Sequence, residues 1–428
     1  MDALSLKVMK TISIWKALLL LITIFLHLQL SSQETRDYRI SFDKQGMGSG
    51  AIKVGCSFTI EFQDKDSIVL DFGGPLLDDS VVALNVMPSS IKYTFIPEKR
   101  EIVFYNSGKR KQRVQMSYEY LNLTSVLMYA DSGSEIWEYI YTGSGEFYYP
   151  MKRGKRYSGK VQYLVPDSLI VIASCLQLDT KWNKIHQCVP LNFAFLDKEQ
   201  YVRQTIGEQG QYDIYQLTSN QTSAIRLNEL ANLTSKAIEW FENKFQDPYI
   251  NSMFGTYDYP TFVFHNGNRS FNRYNMGFIS ASQDKFSTYP DIYPLIHEIG
   301  HRWFGEYSMF IDEGQKGYAF IIETLNEFMT LMCIRDIVGT EEYDRIIETY
   351  AEQWNRIKGT ETDIHPLDVT KNNNMIVTYR KGPVIIDRVA RVLGYDKVIE
   401  SIISVYNQLS GHPNMNVSDF EKIFDNIL

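Results

Sequence analysis

Near residue 220 the apolar side chains change their period, and this break governs what the chain can fold into. Ahead of it, SFTIEF, SIVLDF, EIVFYN, RVQMSYEY and SLIVIAS are short runs rich in β-branched and aromatic residues. Gly, Asp, Asn, Ser and Pro punctuate them, as turns between strands require. The spacing predicts an antiparallel β-sandwich-like domain over residues 33–218. Beyond the break, SAIRLNELANLTSKAIEWFENKF sets Leu230, Leu233, Ala237 and Phe241 on one helical stripe, with Leu227, Ile238 and Phe245 along its edge. Two strand-like runs, TFVFHN and MGFIS, follow, and after Tyr289 the chain reads as helices joined by short loops, ending in DKVIESIISVYNQL and SDFEKIFDNIL. The expected fold class is α+β with two domains: the β domain, then a mostly helical domain with a small sheet over residues 219–428.

Residues 1–32 stand apart as a signal peptide or N-terminal anchor. Lys7, Lys10 and Lys16 precede the apolar run ALLLLITIFLHLQL, and Ser31 and Ser32 follow it. The run is shorter than the roughly 20 residues of a spanning helix. The expectation is export, secreted or periplasmic, with membrane contact only through that segment if it is left uncleaved. An exported chain can oxidise cysteines, and Cys175 and Cys188 are the expected pair, while Cys333 lies in an apolar helical run as a core residue would. Sequons stand at Asn122, Asn220, Asn232, Asn268 and Asn416. The formal net charge of −8, with no dense Lys/Arg cluster, argues against a nucleic-acid partner.

The stretch YPLIHEIGHRWFGEY carries two of the seven histidines. On a helix over 291–305, His297 and His301 fall one turn apart on one face, about 6 Å along the axis. Two imidazole nitrogens can meet one tetrahedral Zn²⁺ from there, one ion per chain. Glu298, rotated about 100° from His297, is near such an ion but poorly placed to bind it, the position of a general base for an activated water. The bland alternative is a pair of ordinary histidines with an incidental Glu. The apolar flanks bury that helix, however, and buried histidines need partners. A third ligand is then required. FIIETLNEFMTLMCIRDIVG, at helical spacing, carries Glu323, which follows His301 after 21 intervening residues, enough for a loop and a returning helix. Glu327 is one turn further on, where it could accept a hydrogen bond from a ligand histidine and hold its ring; a solvated helix face explains it equally well. Asp312 and Glu313 read as loop and rank below Glu323.

HEIGHRWFG, then ETLNEF, then YRKGPVIIDRVARVLG resemble, in order and spacing, the aminopeptidase N family of zinc metallopeptidases. EFYYPM, YLVPDSLIVIAS and NFAFLDKEQY look like its N-terminal β domain, so the resemblance covers most of residues 40–428. It implies a β-sandwich-like domain joined to a thermolysin-like catalytic domain acting on peptide substrates. It also implies metal ligands His297, His301 and Glu323, base Glu298, and Tyr379 as the donor that assists the oxyanion. Only the YRKG context selects Tyr379 among 28 tyrosines.

The chain departs from the family in three places. The interval from His301 to Glu323 is longer than usual, which leaves Glu327 as an alternative ligand. FNRYNMGFIS stands where the family has G-x-M-E-N before the zinc helix. Asn275 matches the Asn, with Met276 and Gly277 beyond it, and the strand is expected to line the substrate by edge pairing. Tyr274 takes the place of the Glu that pairs with the substrate's free α-amino group, and a phenol, neutral at pH 7, cannot supply that ion pair. This motivates a rival reading, an endopeptidase or a hydrolase of N-blocked peptides. Finally, larger members add a C-terminal helical domain, so a more open cleft or one covered by a partner is expected here. A non-catalytic binding protein that kept the fold is the rival from another class.

Overall fold

The computed structural model describes residues 35–410 and 418, less 47–48, 63, 73–80, 100, 121–137, 142–149, 152–156, 174–175, 179–180, 189–192, 249–259, 266–272, 276–277, 289–291, 306–314 and 371–373. The leader reading, the sequons at Asn122, Asn268 and Asn416, Cys175, Asp312, Glu313, Met276, Gly277 and nearly all of SDFEKIFDNIL lie outside the described residues. Asn220 and Asn232 are exposed, and Cys333 is buried and unpaired. Among the described residues no helix is long and apolar enough to cross a membrane.

The first half is built of three sheets. A six-stranded sheet contains Thr35–Gly46, Ser49–Glu61 and Lys111–Tyr120 side by side. In Ser49–Glu61 the alternation is strict: Val54, Cys56, Phe58 and Ile60 point inward, with Gly55 and Ser57 between them on the wetter face, the two-residue period of a half-buried strand. The inward row packs on Leu70, Ile102 and Phe104 from one four-stranded sheet and on Val171, Phe193 and Phe195 from another. One pair departs from the expected antiparallel arrangement: Thr35–Gly46 runs parallel to Tyr157–Leu164. More than a hundred residues separate the two strands, so the chain can return in the same direction, which a tight hairpin forbids.

Leu169–Ala173 is buried at every position. Its second face explains this. Ile170 and Ile172, with Ala194 and Leu196, pack against Tyr201, Tyr215, Leu217 and Val263, and these belong to the next sheet, a five-stranded one. The hairpin Tyr201–Ile206 and Tyr212–Leu217 enters that sheet by parallel pairing of Ile214 and Tyr215 with Phe262 and Val263. The sheet of the second half therefore starts at Tyr201, ahead of the change of period near 220. Its order ends with Thr261–His265, then Phe278–Ser282, then Arg273–Asn275 at the edge.

The far face of this sheet carries the helices α1 (Ala224–Phe245), α2 (Gln283–Thr288), α3 (Tyr293–Gly300), α4 (Leu325–Ile337), α5 (Thr340–Asn355), α6 (Gly382–Leu393) and α7 (Tyr395–Leu409). Phe262, Phe264, Ile279 and Ala281 meet Leu230, Phe241, Ile296 and Ile299 in one large core. The Ser223 hydroxyl caps α1 by accepting from Arg226 N at 3.3 Å, a contact typically worth about 1 kcal/mol. Every residue of α4 from Leu325 to Ile334 is buried, as befits a helix enclosed on all sides. Its polar members therefore need internal partners, and the site supplies them for the Asn326 amide nitrogen and for Glu327.

Candidate functional site

α3 is shorter than the sequence predicts. It ends at Gly300, and His301 follows in right-handed helical backbone (φ −60°, ψ −13°). The turn then tightens, with Arg302 N on Ile299 O at 3.1 Å and Trp303 N on Gly300 O at 2.9 Å, and Gly305 at φ +124° turns the chain out. The turn is fastened by its aromatic residue. Trp303 stacks on Phe241 of α1 with centroids 4.8 Å apart, and its Nε1 donates to Asp247 O at 3.1 Å. His301 thus keeps the one-turn offset from His297 beyond the helix proper.

Gly300 has a steric reason. A Cβ there would stand 2.0 Å from Asn326 Oδ1. The side chain of Asn326 crosses at this point and donates through Nδ2 to the carbonyl of His297 at 2.8 Å. This brings α3 and α4 together and sets the residues before α4 against the histidines. Those residues, Phe320–Thr324, form a π-type turn, and so do Val377–Lys381. The first carries Glu323 and the second Tyr379. Such one-turn widenings often occur at functional sites, and a 3.6-residue pattern does not reveal them. The two turns touch: Thr324 Oγ1 donates to Thr378 O at 2.7 Å, and a Cβ on Gly382 would lie 2.3 Å from Thr324 Cγ2. The Gly of YRKG is thus the clearance that lets the two turns meet.

The geometry at the centre is compact. Glu323 Oε2 is 3.2 Å from His297 Nε2 and 3.3 Å from His301 Nε2. One ligand atom from each of the three residues lies within 4.8 Å of the others. Glu298 stands beside them, its Oε2 4.0 Å from His301 Nε2. Glu327 does not face the trio. Its Oε2 lies 2.6 Å from Nδ1 of His297, across the ring, and its Oε1 accepts from Tyr350 Oη at 2.5 Å. His301 Nδ1 lies 2.9 Å from Phe304 O. Tyr379 is half-buried, its ring centroid 5.6 Å from that of His297. Tyr274 and Asn275 are in the sheet's edge strand, opposite Ile279 and Phe278.

These contacts test whether a cation fits. A carbonyl and a carboxylate beside the two Nδ1 atoms can only accept, so each Nδ1 carries hydrogen. In neutral rings both Nε2 atoms then present lone pairs, and both face a carboxylate oxygen. Three acceptor atoms then face one another with no donor among the three, on side chains only 7–14% exposed, where such a convergence is costly. Either an added cation or protons must fill the gap. Two donor atoms each about 2.0–2.1 Å from a tetrahedral ion lie about 3.3 Å apart, in line with the 3.2 and 3.3 Å separations. The residues fit a metal ion.

With protons alone the same groups compensate one another. Burial disfavours the His297 imidazolium, but Glu323, Glu327 and Glu298 outweigh it and push its pKa up to about 10. His301 is raised too, burial being overcome by Glu323. Glu323 is held far below the usual carboxylate range, its burial more than offset by His301 and His297.

Two imidazoles, a buried carboxylate and an adjacent unligated Glu define a candidate metal centre of the HExxH type. No family model matches the sequence, and no curated protein matches it. Solved structures do resemble it. One is a mutant M1 zinc metallopeptidase of Deinococcus radiodurans bound to a Tyr-Ser-Ala substrate, 14% identical, covering 93% of this chain and 91% of that one with a TM-score of 0.64. Another is yeast LTA4 hydrolase in complex with bestatin, 13% identical, covering 92% of this chain and 65% of that one with a TM-score of 0.67. Both neighbours are aminopeptidase N family proteins, and the chain shares their two-domain fold, a sheet domain followed by a mostly helical one.

Three contributors to this architecture went unread in the sequence: Asn326, the Thr324–Thr378 contact and Tyr350. Asn326 and Thr324 sit in the quoted ETLNEF run, where a polar residue inside an apolar helix is itself a signal. Tyr350 has none.

Proposed function

We propose that the protein is an exported zinc-dependent metallopeptidase of the aminopeptidase N type, which hydrolyses peptide bonds with an activated water. One observation carries this: Glu323 Oε2 and the two Nε2 atoms converge at 3.2 and 3.3 Å, with Glu298 alongside at 4.0 Å. His297, His301 and Glu323 would hold the ion, and a two-histidine, one-carboxylate set is a common donor set of catalytic zinc. When bound, zinc supplies polarisation of the scissile carbonyl and a lowered pKa for water. Glu298 takes the proton of the attacking water and returns it to the leaving amine. Tyr379, across the His297 ring, donates to the oxygen on which negative charge develops. The free side of the edge strand Arg273–Asn275 offers backbone groups to an extended peptide. One neighbour is a zinc metallopeptidase bound to a Tyr-Ser-Ala substrate and another a hydrolase in complex with bestatin, which supports the reading at the level of reaction class.

The decisive experiment is Glu298→Gln, which keeps shape and removes the base. The variant is expected to bind one zinc per chain, by elemental analysis, and to lose about 10²–10⁴-fold in peptide hydrolysis. Undiminished hydrolysis would refute the mechanism. A second reading, cleavage inside peptides or of N-blocked ones, rests on Tyr274 in the edge strand, where a carboxylate would be needed to hold a free amine.

A further inference from the structure

A series of contacts leads from the site through α5 and back to it. Nδ1 of His297 lies 2.6 Å from Glu327 Oε2, and Tyr350 donates its hydroxyl to Glu327 Oε1 at 2.5 Å. The ring of Tyr350 is covered in turn by the Arg380 guanidinium, 4.1 Å from its centroid. Arg380 is anchored on α5 a second time, donating from Nε to Gln353 Oε1 at 2.8 Å. Its chain neighbour is Tyr379, whose ring faces His297 at 5.6 Å. The path from His297 through Glu327, Tyr350, Arg380 and Tyr379 therefore returns to His297.

We propose that Tyr350 and Arg380 are positioning residues that tie the orientation of the metal ligand His297 to that of the oxyanion donor Tyr379. The inference rests on the metallopeptidase reading above. Its physical basis is that each link removes a freedom the site would otherwise keep. The Glu327 carboxylate fixes the His297 ring plane and the hydrogen on Nδ1, so that Nε2 is the free donor. The Tyr350 hydroxyl fixes the Glu327 carboxylate. Arg380 is planar and stacks, which Lys cannot imitate, and its double attachment to α5 pins the π-type turn from which Tyr379 projects. Through these links α5 bears on both the ligand ring and the turn that carries Tyr379.

The test compares the wild type with Tyr350→Phe, which keeps the ring beneath Arg380 and removes only the hydroxyl. Zinc affinity is measured by competition with a chromophoric chelator, kcat and KM with a peptide substrate, and folding by thermal melting. Partners of ligand histidines commonly shift metal affinity by 10–100-fold. For this hydroxyl, one bond further out, about tenfold weaker zinc binding is expected, with a fall in kcat and little change in KM. Arg380→Gln is expected to lower both as well. Because the residues form one chain of contacts, the double variant should be less impaired than the product of the single effects. If the wild type binds zinc and a folded Tyr350→Phe binds it equally tightly with full kcat, the bridge is wrong and the metallopeptidase reading stands. If the wild type binds no zinc, the reading fails and the bridge with it. Should Tyr350→Phe not fold, Arg380→Gln decides by the same measurements: zinc affinity and kcat equal to the wild type's overturn the bridge.

Discussion

His297 is gripped from both sides: Glu327 approaches Nδ1 at 2.6 Å and Glu323 approaches Nε2 at 3.2 Å. A ring held this way has one tautomer and one plane. Replacing Glu327 by Ala leaves the three ligand residues in place but frees the ring and strands a buried N–H. The expected outcome is a 10–100-fold loss of zinc affinity, measured by chelator competition. Glu323→Ala should be worse, since it removes a ligand and not its support. A Glu327→Ala protein that binds zinc as tightly as the wild type would reverse the assignment of the two carboxylates.

Protonation gives the metal-free protein a distinctive pH profile. The folded state raises His297 to about 10 from 6.5, so its contribution to stability is complete below about 6.5 and disappears as pH climbs through 10. Glu323 and Glu327 are lowered from 4.5, so theirs is complete above about 4.5 and disappears as pH falls through the depressed values. These are largely one interaction seen from its two ends. Stability of the chelator-treated protein should therefore be greatest between about pH 4.5 and 6.5 and decline toward pH 10, as read from urea midpoints. Zinc needs the unprotonated Nε2, so its binding displaces protons and tightens with rising pH over that range. Calorimetry in buffers of different ionisation enthalpy measures the release. A flat urea midpoint from pH 6 to 10 would contradict this.

Gly382 is where the turn bearing Glu323 meets the turn bearing Tyr379. An added methyl would sit 2.3 Å from Thr324 Cγ2 and 2.9 Å from its Oγ1, and that hydroxyl already serves Thr378 O. Overpacking of this kind costs about 1–3 kcal/mol. Gly382→Ala should lose that much stability in urea melts, and its kcat should fall further than the folded fraction accounts for, because the two turns are pushed apart.

The proposed dependence of substrate choice on Tyr274 has a direct test. A peptide with a free N-terminus and its N-acetylated twin should be cleaved at similar kcat/KM if nothing replaces the carboxylate of the G-x-M-E-N pattern. A preference of a hundredfold or more for the free amine would show that another acidic group holds it, and would return strict aminopeptidase action. Tyr274→Glu is expected to create or sharpen the preference for the free amine.

The sequence brought His297, His301 and Glu323 forward together, the histidines by their four-residue spacing and Glu323 by one returning helix, while it kept Glu327 as an alternative ligand; the structure gathers the first three into one cluster. The sequence disclosed α1 and the strand Ser67–Phe72 because each buries one clear face. It misplaced what tertiary pairing decides. The hairpin Tyr201–Leu217 has ordinary strand alternation, and nothing local says that it will lie beside Thr261–His265 instead of the earlier strands. The π-type turns were hidden because one extra residue per turn hardly disturbs an apolar pattern. Tyr350 was invisible because its partner Glu327 is 23 residues away and it is one tyrosine among 28.

The shared hairpin also has a practical corollary for anyone cutting the gene. A fragment opened at residue 219 would strip two strands from the platform beneath α1 and lay bare Val263, which the hairpin covers together with Ile170 and Ile172. Even a fragment opened before Tyr201 would show solvent the apolar surface that Leu169–Ala173 now conceals. The helical half should accordingly be insoluble when expressed alone, and the sheet half should be required in the same polypeptide.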